Sequence, residues 1–470
     1  MKKAAFHSLG CKVNSYESQK MIDQLRSHGF QMVSYDDWAD VYVVNTCTVT
    51  AIADKKSRQM LHRAKAINPN AVVVAVGCYV SANEAKLRLD PLIDLTVSNE
   101  QKEDFAHLLT AYLKAKEDAE TYVNSVPTIV GRDISVYNVP TIVDRHISEN
   151  NVPAIADRDV SENAASTHTR SFLKIQDGCN RFCSYCIIPY VRGRATSKDR
   201  NLILKEAESF VQDGTKEIVL TGINISSYGH DNTVTNQTCD LIQLSQDISQ
   251  QTGIPRIRLG SLEPGILTKG AVAHLRAIPN LCPHFHLSLQ SGCDDTLKRM
   301  NRQATTRQYL ESVERLREVF DHPAITADII VGFPGETREE FEITYDFLEK
   351  MNLYELHVFI YSKREGTKAA IMPLQIDSQA AKERSRRLLD LTAAQSKAFR
   401  SYYIGQTLSV LWEEQRIVSG ASYWVGYTPE YIKVALPIDL TIGEECMNNT
   451  ITTVKIIGFL QDDLLLAQKV

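Results

Sequence analysis

Three cysteines, Cys179, Cys183 and Cys186, stand in the run Asp177-Gly-Cys-Asn-Arg-Phe-Cys-Ser-Tyr-Cys-Ile-Ile-Pro189 at x3 and x2 spacings. Thiolates are soft anionic donors. Three of them on one loop can grip three irons of a cubane [4Fe–4S] cluster, leaving the fourth iron open to an outside ligand. The competing reading is a structural zinc, which wants four ligands, usually paired Cys-x2–4-Cys or histidines at x3–5. No Cys or His follows Cys186 within twenty residues, so iron–sulfur ligation is the better fit. The aromatic Tyr185 precedes the last cysteine.

A second set is dispersed. Cys11 lies in Leu9-Gly-Cys-Lys-Val-Asn14, Cys47 in Asn45-Thr-Cys-Thr48 and Cys78 in Val76-Gly-Cys-Tyr79. Each falls within three residues of the carboxyl end of an apolar, partly β-branched run, at 4–9, 41–44 and 71–76. In an open parallel sheet those ends share one edge, where ligands bind. The three thiols are therefore expected to converge, with Gly10 and Gly77 allowing close backbone approach. Buried cysteines often merely pack, but three at equivalent positions point to a second three-thiolate cluster. Cys239, Cys282 and Cys446 have no partner at ligand spacing and read as inert. Cys293, in Gln290-Ser-Gly-Cys-Asp294, reads as packing or hydrogen bonding rather than ligation.

The elements that must hold these cysteines follow from periodicity. Helical segments at about 15–28, 51–67 and 82–89 alternate with the three runs, which implies an α/β doubly wound parallel sheet. From 172 to about 402 the rhythm returns, with strands expected at 172–175, 217–220, 256–259, 284–289, 324–331 and 355–359. Helices such as 202–213 and 309–320 lie between them. Six such units suit a partial or full β/α barrel. A charged amphipathic helix at 378–403, rich in Lys382, Arg384, Arg386 and Arg387, precedes short strands at 407–412, 431–435 and 452–457. That tail reads as a small all-β unit, a five-stranded barrel.

Residues 121–165 break the pattern. Three near-copies with a period of 13 begin at Val126, Val139 and Val152, each carrying a proline. Three short copies are too few for a solenoid, so the segment reads as a duplicated, extended linker, with a docking strand or partner arm as the alternative. The expected division is 1–120, an α/β domain; 121–165, the repeat insert; 166–403, the β/α barrel; and 404–470, the all-β barrel.

Several strand ends of the barrel carry polar loops suited to a small molecule: Gly222 and Asn224, then Ser261 and Glu263, then Gln290, with Tyr185 beside the cluster loop. Asp328-Ile-Ile-Val-Gly-Phe-Pro-Gly-Glu336 ends another strand in a turn, and Thr337-x-x-Glu340 reads as a capping box. Barrel enzymes bind ligands on these carboxyl-terminal loops.

The 470 residues carry 43% hydrophobic and 23% charged side chains, which excludes a mainly disordered or fibrous chain. No apolar run approaches the ~18 residues of a membrane span, and the start, Met1-Lys2-Lys3, lacks the apolar core of an export signal. Ten cysteines without such a signal are expected to stay reduced in a cytoplasm. The net charge of −5 means that nucleic acid must be held by local basic patches. Lys55, Lys56, Arg58 and Arg63 form one such patch; Arg192, Arg194, Lys198 and Arg200 a second; Lys298, Arg299 and Arg302 a third. Beside Tyr423, Trp424, Tyr427 and Tyr431 of the tail they permit an RNA-binding reading.

Taken together, these residues resemble the radical S-adenosylmethionine methylthiotransferases, over nearly the whole chain apart from the repeat insert. Cys179, Cys183 and Cys186 are similar to the radical-cluster motif; Cys11, Cys47 and Cys78 are similar to the auxiliary-cluster ligands; the tail is similar to the family's RNA-binding TRAM domain. The runs Leu9-Gly-Cys-Lys-Val-Asn-Ser-Tyr-Glu17 and Gln176 to Tyr190 most resemble the branch acting on threonylcarbamoyladenosine in tRNA. The resemblance implies two [4Fe–4S] clusters and S-adenosylmethionine as cofactors. It implies tRNA as substrate, through the anticodon loop, an electron donor such as flavodoxin or ferredoxin, and a sulfur donor. The chemistry it implies is conversion of N6-threonylcarbamoyladenosine next to the anticodon to its 2-methylthio derivative. The adenine C2–H bond is too strong for acid–base activation, so a cofactor must supply a radical. The alternatives are isopentenyladenosine in tRNA, an aspartate of a ribosomal protein, or a non-catalytic zinc-containing RNA-binding protein.

Overall fold

The computed structural model describes residues 1–48, 50–125, 155–159, 169–230, 240–438 and 446–470. The chain forms two compact units: Met1–Ala164 with Ile187–Gly193, and Ala165–Cys186 with Arg194–Val470.

The first unit runs β1 (Lys3–Gly10), α1 (Lys12–Ser27), β2 (Gln31–Val33), β3 (Val41–Thr46), α2 (Ala51–Ile67), β4 (Val72–Gly77), α3 (Cys78–Leu87), β5 (Leu95–Val97), α4 (Phe105–Ser125) and β6 (Ile155–Asp159). The sheet order is β2-β1-β3-β4-β5, all parallel, and β6 pairs antiparallel with β1. Every residue of β3 and β4 is buried, as a strand covered on both faces must be. One core joins Ala5, Val44, Val73 and Ala75 to Leu61 and Ala64 of α2; the other joins Phe6, Val43 and Val74 to Met21 and Ile22 of α1 and Leu109 of α4. The expected doubly wound sheet is present. The backbone of β6, inside the third repeat copy, is a docked strand rather than linker; the other two copies lie outside the described residues.

The second unit begins with β7 (Arg170–Lys174), then β8 (Gln176–Asp177), β9 (Thr196–Ser197), α5 (Arg200–Gln212), β10 (Glu217–Thr221), α6 (Leu241–Thr252), β11 (Arg256–Leu259), β12 (Ser261–Leu262) and α7 (Lys269–Arg276). It continues with β13 (His284–Gln290), α8 (Asp294–Arg299), α9 (Thr306–Val319), β14 (Ala324–Val331), α10 (Arg338–Met351), β15 (Glu355–Ile360) and α11 (Ser378–Ser401). Parallel sheets β11-β10-β7 and β12-β13-β14-β15 make a partial barrel, interrupted at Gly260 between β11 and β12. Alternation divides each strand. Phe285, Leu287, Ala327 and Ile329 join a core with Val313 and Leu316 of α9 and Phe341 and Leu348 of α10. His286, Thr326 and Asp328 project from the opposite face of β13 and β14. Thr337 and Glu340 close the expected capping box at the start of α10, and Thr305 and Gln308 close another before α9.

The tail is β16 (Thr407–Val418), β17 (Ala421–Tyr427), β18 (Lys433–Pro437), β19 (Ile451–Gln461) and β20 (Leu464–Lys469), a closed barrel in the order β16-β17-β18-β20-β19. Its loop packs on the amino-terminal ends of the β/α-barrel strands. Arg256 donates to the Tyr427 and Ser409 carbonyls and Arg258 to the Pro429 carbonyl, at 2.8, 3.0 and 2.8 Å. Arg170 and Arg258 lie over the Tyr431 ring, which stacks on Tyr427. Trp424 is buried within the barrel. Of the tail aromatics raised as base-stacking candidates, Trp424, Tyr427 and Tyr431 are therefore engaged in packing.

Candidate metal centres

In the first unit, strand register sets the geometry. Thr46 pairs with Gly77 across β3 and β4, so Cys47 and Cys78 follow at equivalent positions on strands roughly 4.8 Å apart. Cys11 caps the amino end of α1, Cys78 opens α3, and Cys47 stands three residues before Thr50, the cap of α2. Amino ends of helices favour thiolate over thiol. Gly10 turns at φ +109°, and a Cβ there would meet Cys47 Sγ at 2.9 Å. Gly77 turns at φ +100°, where a Cβ would meet the Thr46 carbonyl at 2.9 Å. Both glycines are required by close approach, as the sequence predicts. Asn99 Nδ2 lies 3.5 Å from Cys78 Sγ and donates to the Val191 carbonyl at 3.2 Å.

Behind the thiols lies a buried polar group that sequence reasoning missed. Asn14 donates to the Leu9 and Thr46 carbonyls at 2.7 and 3.0 Å and accepts from Arg192 Nη2 at 2.9 Å. Arg192 pairs with Glu17 at 2.9 Å, and Lys102 pairs with the same carboxylate at 2.6 Å. The three side chains are 1%, 9% and 6% exposed. Arg192 is thus a buried residue of the first unit, not part of a solvated basic patch. Burial pushes the Cys11 thiol up, and Arg192 pulls against it.

In the second unit the three cysteines of the loop after β8 are carried by an irregular backbone held by several hydrogen bonds. Arg181 N–H donates to Cys179 Sγ at 3.4 Å, and Cys186 N–H to the Cys183 carbonyl at 2.9 Å. Ser184 is clamped by the Met300 and Arg299 carbonyls and by Ala369 N–H. Asn301 holds the Phe182 carbonyl, where φ is +50°. Arg302 Nη1 lies 3.7 Å from Cys183 Sγ, while Nη2 donates to Glu263 at 2.9 Å and to the Ser288 carbonyl at 2.6 Å. Arg302, 6% exposed, also leaves the basic patch assigned to it from sequence; Arg299 pairs with Glu340. Burial pushes the Cys179 and Cys186 thiols and the Tyr185 phenol up, with the neighbouring thiols adding to it. Among the described residues the cysteines, these six included, are free of disulfides. Each trio offers three soft donors, and the cradle at Gly10 leaves room for nothing larger than a hydrogen beside Cys47. The donor sets fit cubane clusters with one open corner.

The other sequence candidates fall into two groups. Glu263 is joined to the Cys183 thiol through Arg302, and Tyr185 packs edge-on against Phe333. Gly222 and Asn224 gather around Gln176: a Cβ at Gly222 would meet the Gln176 carbonyl at 2.8 Å, and Asn224 N–H donates to Gln176 Oε1 at 2.8 Å. Ser261 opens β12, and Gln290 ends β13 at φ +80°. Gln176 was not singled out from sequence; its place between a strand and Asp177-Gly-Cys179 was the available signal. Cys282 and Cys293 are buried, Cys446 is exposed, and Cys239 lies outside the described residues.

One further cluster faces the barrel interior. Asp328 accepts from His286 Nε2 at 3.2 Å and lies 3.3 Å from His357 Nδ1. His286 Nδ1 is 2.8 Å from Thr326 Oγ1. Burial pushes the Asp328 carboxyl up, but the two imidazoles hold it well below the usual carboxylate range. At the base, burial likewise pushes Glu217 up; Arg258 and Arg170 overrule it and hold it at about 2. No helix among the described residues is long and apolar enough to cross a membrane.

Residues 173–348 match the radical SAM superfamily and residues 3–98 match Uncharacterized protein family UPF0004. The chain is 37% identical to the threonylcarbamoyladenosine tRNA methylthiotransferase MtaB of Bacillus subtilis, over 97% of its own length and 94% of that protein. Its identity to the protein of the same name from Aquifex aeolicus is 35%, covering 89% and 94%. A tRNA-2-methylthio-N(6)-dimethylallyladenosine synthase from Caldicellulosiruptor saccharolyticus is 32% identical, covering 86% and 80%. Among solved structures, the radical S-adenosylmethionine methyltransferase TsrM of Kitasatospora setae aligns with a TM-score of 0.54 at 14% identity, over 82% of this chain and 85% of that one; this likeness concerns the fold. A chain that carries both domains in this order, and runs nearly end to end with methylthiotransferases, belongs to the radical S-adenosylmethionine methylthiotransferase family.

Proposed function

We propose that this protein converts N6-threonylcarbamoyladenosine, next to the anticodon in tRNA, to its 2-methylthio derivative. The 37% identity over 97% of the chain to a protein named for that nucleoside carries the reading, and the two thiol trios supply its chemistry. Cys179, Cys183 and Cys186 would hold one [4Fe–4S] cluster and Cys11, Cys47 and Cys78 the other. When bound, these groups supply the electron that cleaves S-adenosylmethionine and the sulfur that is inserted.

The remaining work belongs to the chain. Arg302 holds Glu263 and the Ser288 carbonyl in place beside Cys183. Gln176 fixes the turn through Gly222 and Asn224, and with Ser261, Gln290 and Tyr185 these residues line the S-adenosylmethionine cradle. Asp328, His286 and His357 give the barrel interior hydrogen-bonding groups for a polar nucleoside. The all-β tail serves as the TRAM-like RNA-binding domain, within the division 1–120, 121–165, 166–403 and 404–470. An electron donor such as flavodoxin or ferredoxin, a sulfur donor and a cytoplasmic location complete the reading.

Nucleoside mass spectrometry of tRNA from cells lacking the protein tests it: the 2-methylthio form of threonylcarbamoyladenosine is lost and its precursor accumulates. Loss of 2-methylthio-isopentenyladenosine instead transfers the chain to the other tRNA branch, to which the 32% identical synthase belongs by name. Unchanged tRNA overturns the proposal. Anaerobically purified protein should carry about eight irons per chain; zinc without iron would sustain the non-catalytic alternative.

A further inference from the structure

Strand register carries the row of strand ends one place beyond the thiols. Val76 pairs with Val97 across β4 and β5, so Asn99 follows β5 at the position Cys78 takes after β4. The strand next to Cys78 thus ends in an amide where β1, β3 and β4 each end in a thiol. The turn that carries Asn99 is held at both sides: Ser98 N–H donates to Gln101 Oε1 at 3.0 Å, and Asn99 N–H donates to Ser81 Oγ at 3.2 Å. The buried Val191 carbonyl orients the side chain. A carbonyl only accepts, so the Nδ2 end must face it, at 3.2 Å. The same Nδ2 lies 3.5 Å from Cys78 Sγ, against 3.9 Å for Oδ1. An amide nitrogen carries two N–H donors; one serves the carbonyl and the other points to the sulfur. The thiolate, which is the form that ligates a metal, accepts that bond.

We infer that Asn99 is a positioning residue that donates a hydrogen bond to the Cys78 thiolate and raises the reduction potential of the cluster this thiolate would hold. This inference rests on the ligation proposed above. Hydrogen bonds to the sulfurs are one of the means by which a protein sets an iron–sulfur potential. Reduction adds one negative charge to the cluster and its sulfurs. A donor beside the sulfur therefore stabilises the reduced form more than the oxidised one, and an anion in its place does the reverse.

The test uses the full chain with Cys179, Cys183 and Cys186 all replaced by Ala, so that any bound iron reports the first unit. Titration with dithionite followed by electron paramagnetic resonance reads the potential, with iron content measured alongside. Asn99→Leu keeps the bulk and removes the donor. Reduction should become about tenfold less favourable, which is about 59 mV for one electron. Asn99→Asp keeps the shape and sets an anion against the sulfur, so its potential should fall further. A role in packing alone would lower iron content in both variants and leave the potential of the remaining cluster where it was. Potentials that stay put or rise, or a smaller fall in Asn99→Asp than in Asn99→Leu, overturn the inference. If only one variant binds iron, that variant decides: a lowered potential supports the inference, and an unmoved or raised one ends it. Iron missing from both assigns Asn99 to assembly alone and overturns it as well. A parent triple variant without iron is a different failure: the ligation reading falls before Asn99 is changed, and takes this inference with it.

Discussion

The two cysteine trios are assembled by opposite routes. In the second unit one loop carries all three thiols within eight residues, and hydrogen bonds to the Met300 carbonyl and from Asn301 and Ala369 hold that loop in an irregular path. In the first unit the loops are minimal, and the sheet itself does the assembling: the register of β1, β3 and β4 delivers one thiol from each strand end. Errors should therefore propagate differently. A change in the second site acts through one loop. A change in the first acts through strand register and through the two glycines that let the thiols approach.

The largest contrast should come from the cysteines themselves. Cys183→Ala should abolish S-adenosylmethionine cleavage, measured as 5′-deoxyadenosine, while Cys47→Ala should spare cleavage and abolish methylthiolated product. Loss of cleavage in both would merge the two sites into one function.

Next in size is the framework under the second site. Glu217 is completely buried among Arg170, Arg256 and Arg258, and breaking such a network typically costs about 3–5 kcal/mol. Glu217→Gln should lower the melting temperature accordingly. Its native carboxyl sits at about 2 against an ordinary value of about 4.3, so the native state binds fewer protons. The stabilisation is complete above about pH 4.3 and fades as pH falls towards 2. Thermal melts in that acid range should be steeper in pH for the parent chain than for Glu217→Gln.

Gly10→Ala should cost about 3 kcal/mol from the left-handed turn and the clash with Cys47, and should deplete iron in the first site. Gly178→Ala, at φ +65° beside Cys179, should cost only about 1–2 kcal/mol. Equal iron loss in both would show that loop and sheet are equally intolerant. Smallest of all, Thr337→Ala removes a helix cap at about 1 kcal/mol and should leave the iron content of both sites unchanged, separating stability from assembly.

Much of this was legible in the residues. Strand-end position alone placed Cys11, Cys47 and Cys78 on one edge, because parallel sheets obey a topological rule that needs no side-chain detail. The extents of α2 and β14 match the periodicity residue for residue. Arg192 and Arg302 were misread as surface charge, since their partners Glu17 and Glu263 lie 175 and 39 positions away and nothing local marks a cation as buried. Two of the barrel strands, β17 and β20, were also missed. The aromatic residues of β17 looked like base-stacking groups.

The way Tyr427, Thr428 and Pro429 plug the foot of the β/α barrel also bears on how this protein can be taken apart. Cutting the chain after Gly405 would expose three arginines whose carbonyl and ring partners all lie downstream of the cut. The all-β tail is therefore no removable handle but a stopper, and a chimera that exchanges tails between relatives should keep this chain's stopper segment if the core beneath it is to stay sealed.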